Sequence, residues 1–276
     1  MKQYLDLLKH VRHNGILKDQ RAKASDGSPL KALSIFGAQF RHDLNEGFPL
    51  LTTKKLPWKA IVTELLWFLR GDTNIKYLQE NNCNIWNEWA DETGNLGPIY
   101  GKQWRAWKGI RGDKIDQVAN LVRDIKEVRD NPTASVGRRL IISSWNPGDM
   151  SDPKVPTGCH TLSQFNLTNG KLSCHLYQRS GDLFLGVPFN TASYSLLTHM
   201  LAYVCNVGVG DFIHSFGDVH IYENHLEQVD KQLTREPKKL PTLKIGFGPS
   251  IDHFKHEYLH LENYDPYPSL PGEVAI

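Results

Sequence analysis

No apolar run in this chain approaches the roughly 20 residues that a helix needs to cross a bilayer, which argues against a membrane-spanning segment. The opening MKQYLDLLKHVRHNG has the spacing of an amphipathic helix and lacks the apolar centre of a signal peptide, so a cytoplasmic location is expected. Cysteine is scarce. The four residues Cys83, Cys159, Cys174 and Cys205 show no C-x-x-C spacing, which argues against a disulfide framework or a structural zinc site. A dominant charge is also lacking. Lys and Arg number 32 against 30 acidic residues, a net charge of +2, so no global field coats the molecule with nucleic acid, and anions must be bound by local arginine clusters. Internal repeats, low-complexity segments and Pro/Gly/Ser linkers are missing, so residues 1–276 read as one domain. No Gly-x-Gly-x-x-Gly follows a strand, and the regular βαβ rhythm of a doubly wound sheet is absent.

What is present is an ordinary globular composition, 40% apolar and 22% charged over 276 residues, enough to bury a sizeable core. Helical spacing marks residues 2–14, 57–70, 114–130, 191–207 and 222–235. Strand patterns mark 138–145, closed by Asn146-Pro147-Gly148, then 160–167 and 171–180 with a turn at Asn169-Gly170 between them. Residues 218–222 and 241–247 complete the set. The expected class is α+β, a single domain with a mixed or antiparallel sheet packed against helices.

Several residues could carry chemistry. Cys159 reads either as a buried structural thiol or as a nucleophile, since a thiolate is the strongest side-chain attacker near neutral pH. Adjacent residues on a strand face opposite ways, so His160 is poorly placed to deprotonate Cys159. A lowered thiol pKa would have to come from cations, and Arg138, Arg139 and Arg179 are the candidates. Arginines at the ends of otherwise apolar strands suggest an anion site, because guanidinium forks suit phosphate oxygens, and Ser180 could add a neutral donor. In residues 218–222 the period of two puts His220 and Tyr222 on one face: a half-exposed strand, or a pair of donors for a sugar or phosphate. Glu64 lies in a helix that is apolar nearly all round, where a carboxylate is either shielded at an edge or buried with a raised pKa suited to acid/base work. Asn190, after Gly-Val-Pro, could cap a helix or read the polar edge of a base. His253, His256 and His260 would share a helical face, but no acidic or cysteine partner accompanies them, and no metal is expected.

Together these pieces resemble the thymidylate synthase family. The resemblance runs from the first helix to the terminal Glu-Val-Ala-Ile, through LTTKK (51–55), ELLWFLRGDTN (64–74), IWNEWAD (85–91), LGPIYGKQWRAW (96–107), RRLIISSWNP (138–147), GCH (158–160), LYQRSGDLFLGVPFN (176–190) and GDVHIYENH (217–225). The resemblance implies a homodimer whose sheets pack back to back, with Arg138 and Arg139 donated across the interface. They would join Arg21, Arg179 and Ser180 around the phosphate of dUMP. Cys159 would attack C6 of the uracil, making C5 nucleophilic toward the methylene of 5,10-methylenetetrahydrofolate, the co-substrate. Asn190 would read the pyrimidine O4/N3 edge, His220 and Tyr222 would hold the ribose, and Glu64 would organise protons with His160 and Tyr100. Asp182 would bind the pterin, which also gives it a catalytic part. Trp86, Trp89, Gly186 and Phe189 would line the folate pocket, with Lys54 and Lys55 near the anionic ligands and Ala275-Ile276 closing as a lid. Neither metal, membrane nor DNA is required.

Four places depart from the family's common pattern. A longer loop, Ala22 to Ala32, follows Arg21. Gly158 stands for the usual proline before the cysteine, Leu162-Ser163 for a more aromatic pair, and His214-Ser215-Phe216 for the usual Trp-Thr-Gly. They raise a rival: a deoxyuridylate hydroxymethylase, which quenches the same C5 methylene intermediate with water instead of hydride. Asn190 argues against cytidylate-specific relatives, which resemble this family with aspartate there. A third reading, of a different class, is a nucleotide- or RNA-binding relative without turnover.

Overall fold

The computed structural model describes residues 1–24, 26–151, 156–246 and 248–274. Its centre is a six-stranded mixed sheet in the order β1-β2-β8-β7-β6-β5. The strands are β1 (Ile16–Lys23), β2 (Pro29–Asp43), β5 (Ile141–Ser143), β6 (His160–Thr168), β7 (Lys171–Asp182) and β8 (Gly208–Tyr222). Two-stranded ribbons are formed by β3 (Trp107–Lys108) with β4 (Lys114–Ile115), and by β9 (Thr242–Ile245) with β10 (Leu259–Glu262). Within the large sheet only β7 and β8 run parallel. Parallel neighbours need a long crossover, and α6 (Gly186–Cys205) supplies it.

The helices follow their apolar patterns. In α1 (Lys2–Asn14), Tyr4, Leu7, Leu8 and Val11 make one buried stripe. In α5 (Gln117–Asp130) the stripe is Val118, Leu121, Ile125 and Val128, and the Asp116 side chain accepts the Ala119 N–H at 2.9 Å as its N-cap. Two helices are buried on every side. In α2 (Trp58–Leu69) every residue from Ile61 to Leu69 is buried, and in α6 burial runs unbroken from Asn190 to Thr198. They form the centre of the core, as all-round apolar helices must. Shorter helices α3 (Lys76–Glu80), α4 (Tyr100–Ala106) and α7 (Leu226–Leu233) complete the cover.

The structure is the expected single α+β domain with a mixed sheet, and it corrects several boundaries. Strands β1 and β2, at residues 16–43, were not foreseen. The strand expected at 138–145 shrinks to Ile141–Ser143, because Ser135–Arg138 coil into a 3₁₀ turn and the edge strand pairs with β6 over three residues. The strand expected at 218–222 is the end of a 15-residue strand. Helix α6 starts earlier than residue 191: Pro188 sits in the first turn, where its missing N–H has no intrahelical partner to lose. Helix α7 is shorter than 222–235, being preceded by a 3₁₀ turn at Glu223–His225. Residue 247, within the last expected strand, lies outside the described residues.

Candidate active site

Register alone gathers several of the candidate residues at one end of the sheet. Because β7 and β8 are parallel, their carboxyl ends lie together: Ser180 pairs with Asp218 and Asp182 with His220. On the far side of β8, His220 pairs with Ser34 and Tyr222 with Ala32. Strand β6, antiparallel to β7, begins at the same end, with His160 opposite Gln178.

Cys159 lies just before β6, and two groups fix it. The Tyr100 hydroxyl accepts the backbone N–H of Cys159 at 2.7 Å and that of His160 at 3.4 Å. The Arg179 guanidinium donates to the carbonyls of Gly158 and Thr157 at 2.9 and 2.8 Å, and one of its nitrogens lies 3.8 Å from Cys159 Sγ. Burial pushes the thiol above its ordinary pKa, and Arg179 pulls it down by less. Within one chain Arg179 is the cation that acts on the thiol. Among the described contacts of this chain Arg179 reaches Sγ, whereas Arg138 and Arg139 stand exposed beside β5, Arg139 meeting Ser135.

Next to the cysteine, His160 packs among aromatic rings, with Tyr194 edge-on at 5.3 Å. His160 stacks on Tyr100 at 4.7 Å and 26°. Burial drives its pKa down to about 4, against a hydrogen bond with Asn190. Glu64, on α2, is 7% exposed; burial raises its carboxyl to about 7, and the Trp86 indole N–H, 2.9 Å from Oε1, opposes that rise. The edge-shielded reading of Glu64 is thereby excluded. Asn190 lies inside α6, so it is no N-cap, and its Oδ1 accepts from Gln178 Nε2 at 3.0 Å.

On the β8 side, His220 Nδ1 meets Asp218 Oδ1 at 3.0 Å, and Asp218 also holds Lys18 and Ser34. The His220 and Tyr222 rings meet edge to face at 5.0 Å. Val219 and Ile221 are fully buried; on the opposite face His220 is buried and Asp218 and Tyr222 are partly so. Burial pushes the Tyr222 hydroxyl up to about 12, with the charges of Asp182, Cys159 and Asp218 adding to the rise and Arg21 opposing it. Arg21 therefore lies near this end of the sheet, exposed on the irregular stretch of β1 between Asp19 and Lys23.

The remaining candidates sort by exposure. Asp182 Oδ1 accepts the N–H groups of Phe184 and Leu185 at the start of α6, directly before Gly186. Trp86 and Phe189 are half-buried and Trp89 is exposed, its ring 5.7 Å from that of Trp86. These rings and the Asp182 carboxylate match what a flat heteroaromatic co-substrate requires, a π-face and a polar anchor. Lys55 is exposed, whereas Lys54 is buried, donates to the Phe184 carbonyl and lies 3.5 Å above the Phe184 ring. Burial lowers the Lys54 ammonium to about 7. Ala275 and Ile276, the expected lid, fall outside the described residues.

Sequence reasoning missed Gln178, which links Asn190 to His214, and Asp218, which orients His220. The period of two along β7 was a usable signal for Gln178, since it shares the inward face of Cys174 and Leu176. His253, His256 and His260 do not converge: they bond Ser250, Thr63 and the Glu257 carbonyl respectively. Among the described residues no group of three or more His, Cys, Asp or Glu is placed to hold a metal ion, and no helix is long and apolar enough to cross a membrane.

A domain that gathers a thiol, an arginine, a buried carboxylate and an oriented carboxamide at one end of its sheet has the make-up of a nucleotide-processing enzyme. The family model for thymidylate synthase matches residues 2–276, and the chain belongs to that family. It is a one-carbon transferase of nucleotide biosynthesis, acting on dUMP with a methylenetetrahydrofolate co-substrate.

Proposed function

We propose that this chain methylates dUMP at C5, giving dTMP and dihydrofolate, with Cys159 as the covalent nucleophile. The observation that carries the reading is the held thiol: Tyr100 and Arg179 fix its loop, and a buried acid, Glu64, lies near enough to Tyr100 for its charge to act there.

Cys159 Sγ adds to C6 of the uracil, and the electron pair moves to C5, which then takes up the one-carbon unit; the C5 proton is lost, and expulsion of Sγ from C6 restores the ring double bond and frees the thiol. Arg179 alone leaves the thiol above its ordinary pKa. The mechanism therefore needs more positive charge, and a homodimer in which Arg138 and Arg139 join Arg21, Arg179 and Ser180 around the phosphate would supply it. His220 and Tyr222 hold the ribose, and Asn190 meets the pyrimidine edge. Glu64, with a pKa of about 7, can both give and take a proton near neutral pH. Asp182, Trp86, Trp89, Gly186 and Phe189, with Lys55 at the rim, would hold the folate. The bound folate supplies the carbon unit and, for methylation, the hydride.

The alternative is the hydroxymethylase. Two of the four sequence departures have packing accounts that need no change of chemistry. A Cβ at Gly158 would lie 3.3 Å from the Tyr100 ring, and a Cβ at Gly181 would lie 3.0 Å from Phe216, so glycine at 181 makes room for the larger residue at 216. This supports the methylating reading. The test is incubation with dUMP and methylenetetrahydrofolate, followed by mass analysis of the nucleotide. A methyl gain with dihydrofolate is expected. A hydroxymethyl gain with tetrahydrofolate would replace methylation by hydration. Absence of any covalent adduct with 5-fluoro-deoxyuridylate and the folate would end the catalytic reading, as would turnover retained by Cys159→Ser.

A further inference from the structure

Behind Asn190 lies a chain of buried polar side chains whose direction can be worked out group by group. Gln178 Nε2 donates to the Ser180 carbonyl at 2.9 Å. A carbonyl can only accept, so this bond holds the Gln178 amide one way round. Its second Nε2 hydrogen then points to Asn190 Oδ1 at 3.0 Å, and its Oε1 must accept from His214 Nε2 at 2.9 Å. His214 therefore carries its proton on Nε2, leaving the Nδ1 lone pair to accept from the Thr191 hydroxyl at 3.2 Å. His214 is fully buried and Thr191 and Gln178 nearly so, so an unmatched group here has no water to turn to.

We propose that His214 and Thr191 are positioning residues for base selection. The one-way chain Thr191–His214–Gln178–Asn190 holds Asn190 Oδ1 inward and turns its Nδ2 donors to the substrate, favouring a pyrimidine with a carbonyl at C4 over one with an amino group. Turning the Asn190 amide round, as a 4-amino base requires, sets its Nδ2 against Gln178 Nε2, donor against donor. The rings of Phe212, Phe216 and Phe40, centred 5.5, 4.1 and 5.5 Å from that of His214, pack around the imidazole and restrict its turning. The inference rests on the nucleotide reading above, in which Asn190 meets the base.

Two measurements test it. In the unliganded protein, ¹⁵N–¹H spectra of His214 should show a neutral ring protonated on Nε2; protonation on Nδ1 overturns the chain whatever the protein binds. Binding of dUMP and dCMP is then compared in wild type and variants. His214→Met should lower the preference for dUMP about tenfold, the effect of a buried acceptor left unmatched. His214→Gln, whose amide offers a donor to Gln178 and an acceptor to Thr191, should keep it within about threefold. An equal loss of affinity for both nucleotides in His214→Met, or no change in the preference, would overturn the proposal. Thr191→Val gives a milder variant should His214→Met fail to fold: the His214 proton should stay on Nε2 while the ring, with its Nδ1 lone pair unmatched, is held less firmly, so a reduced preference is expected, and an unchanged preference counts against the idea. If wild type binds neither nucleotide, the functional reading falls, and the spectra still decide the chain.

Discussion

Glu64 shows how one carboxyl is tuned by two opposed neighbours. Burial lifts it to about 7 and the Trp86 indole N–H holds it from rising further. Trp86→Phe removes the donor and keeps an aromatic ring, so the Glu64 midpoint should move up. The pH dependence of adduct formation with 5-fluoro-deoxyuridylate would report it, and an unmoved or lowered midpoint would show that Glu64 does not govern that step. Glu64 was legible in the sequence because a charge amid an apolar helix has nowhere to hide. Cys159 was legible as a thiol but not as one held above its ordinary pKa, since the balance of burial against one arginine depends on distance. The inward position of Gln178 was readable from the period of two along β7, but its link to His214 was not: it lies in hydrogen-bond complementarity between β7, β8 and α6, which no spacing along the chain encodes.

Among the elements, the longer helices were read well, α1 and α5 by a periodic apolar stripe and α2 and α6 by long apolar runs, whereas the short α3 and α4 were not expected. For α5, expected to begin at 114, the Asp116 side chain caps the helix and starts it at Gln117, so Asp116→Ala should cost about 1 kcal/mol of stability. A urea midpoint unchanged beyond error would show that another group caps the helix. Strands were read less well. The run at 138–145 has strong β character, yet an edge position and the Arg138-Arg139 pair leave a short ladder. In β1 the sequence Ile-Leu-Lys-Asp-Gln-Arg-Ala-Lys is exposed along most of its length, so no alternation marks it. Its strand character comes from pairing with β2, a property of the neighbour.

Taken as a whole, the molecule buries several imidazoles in neutral form. Burial takes His160 and His199 down to about 4 and lowers His42 and His214 as well, from an ordinary 6.5. Between those limits the unfolded chain binds protons that the folded one refuses, so stability falls as pH drops from about 6.5 toward 4. Glu64 acts in the opposite sense between 4.5 and about 7, because there the folded state keeps a proton that the unfolded state releases. Four histidines outweigh one carboxyl. The urea midpoint should therefore fall across this window, by ~1.4 kcal/mol per pH unit for each net proton, and more steeply in Glu64→Gln. A flat or rising midpoint on acidification would mean that the histidines open to water.

The parallel pairing of β7 and β8 also has a temporal side. Arg179 and His220 belong to strands joined through the whole of α6, so the grips assigned to phosphate and ribose cannot be assembled by any local hairpin. They come into register only once the central helix has crossed and packed, a long loop closure that is slow to complete. A chain caught short of that step has its thiol and Arg179 but nothing opposite them. Because a nucleotide that spans both grips binds only the completed crossover, it acts as a selective clamp on the final stage of folding, raising the cost of unfolding with its own concentration.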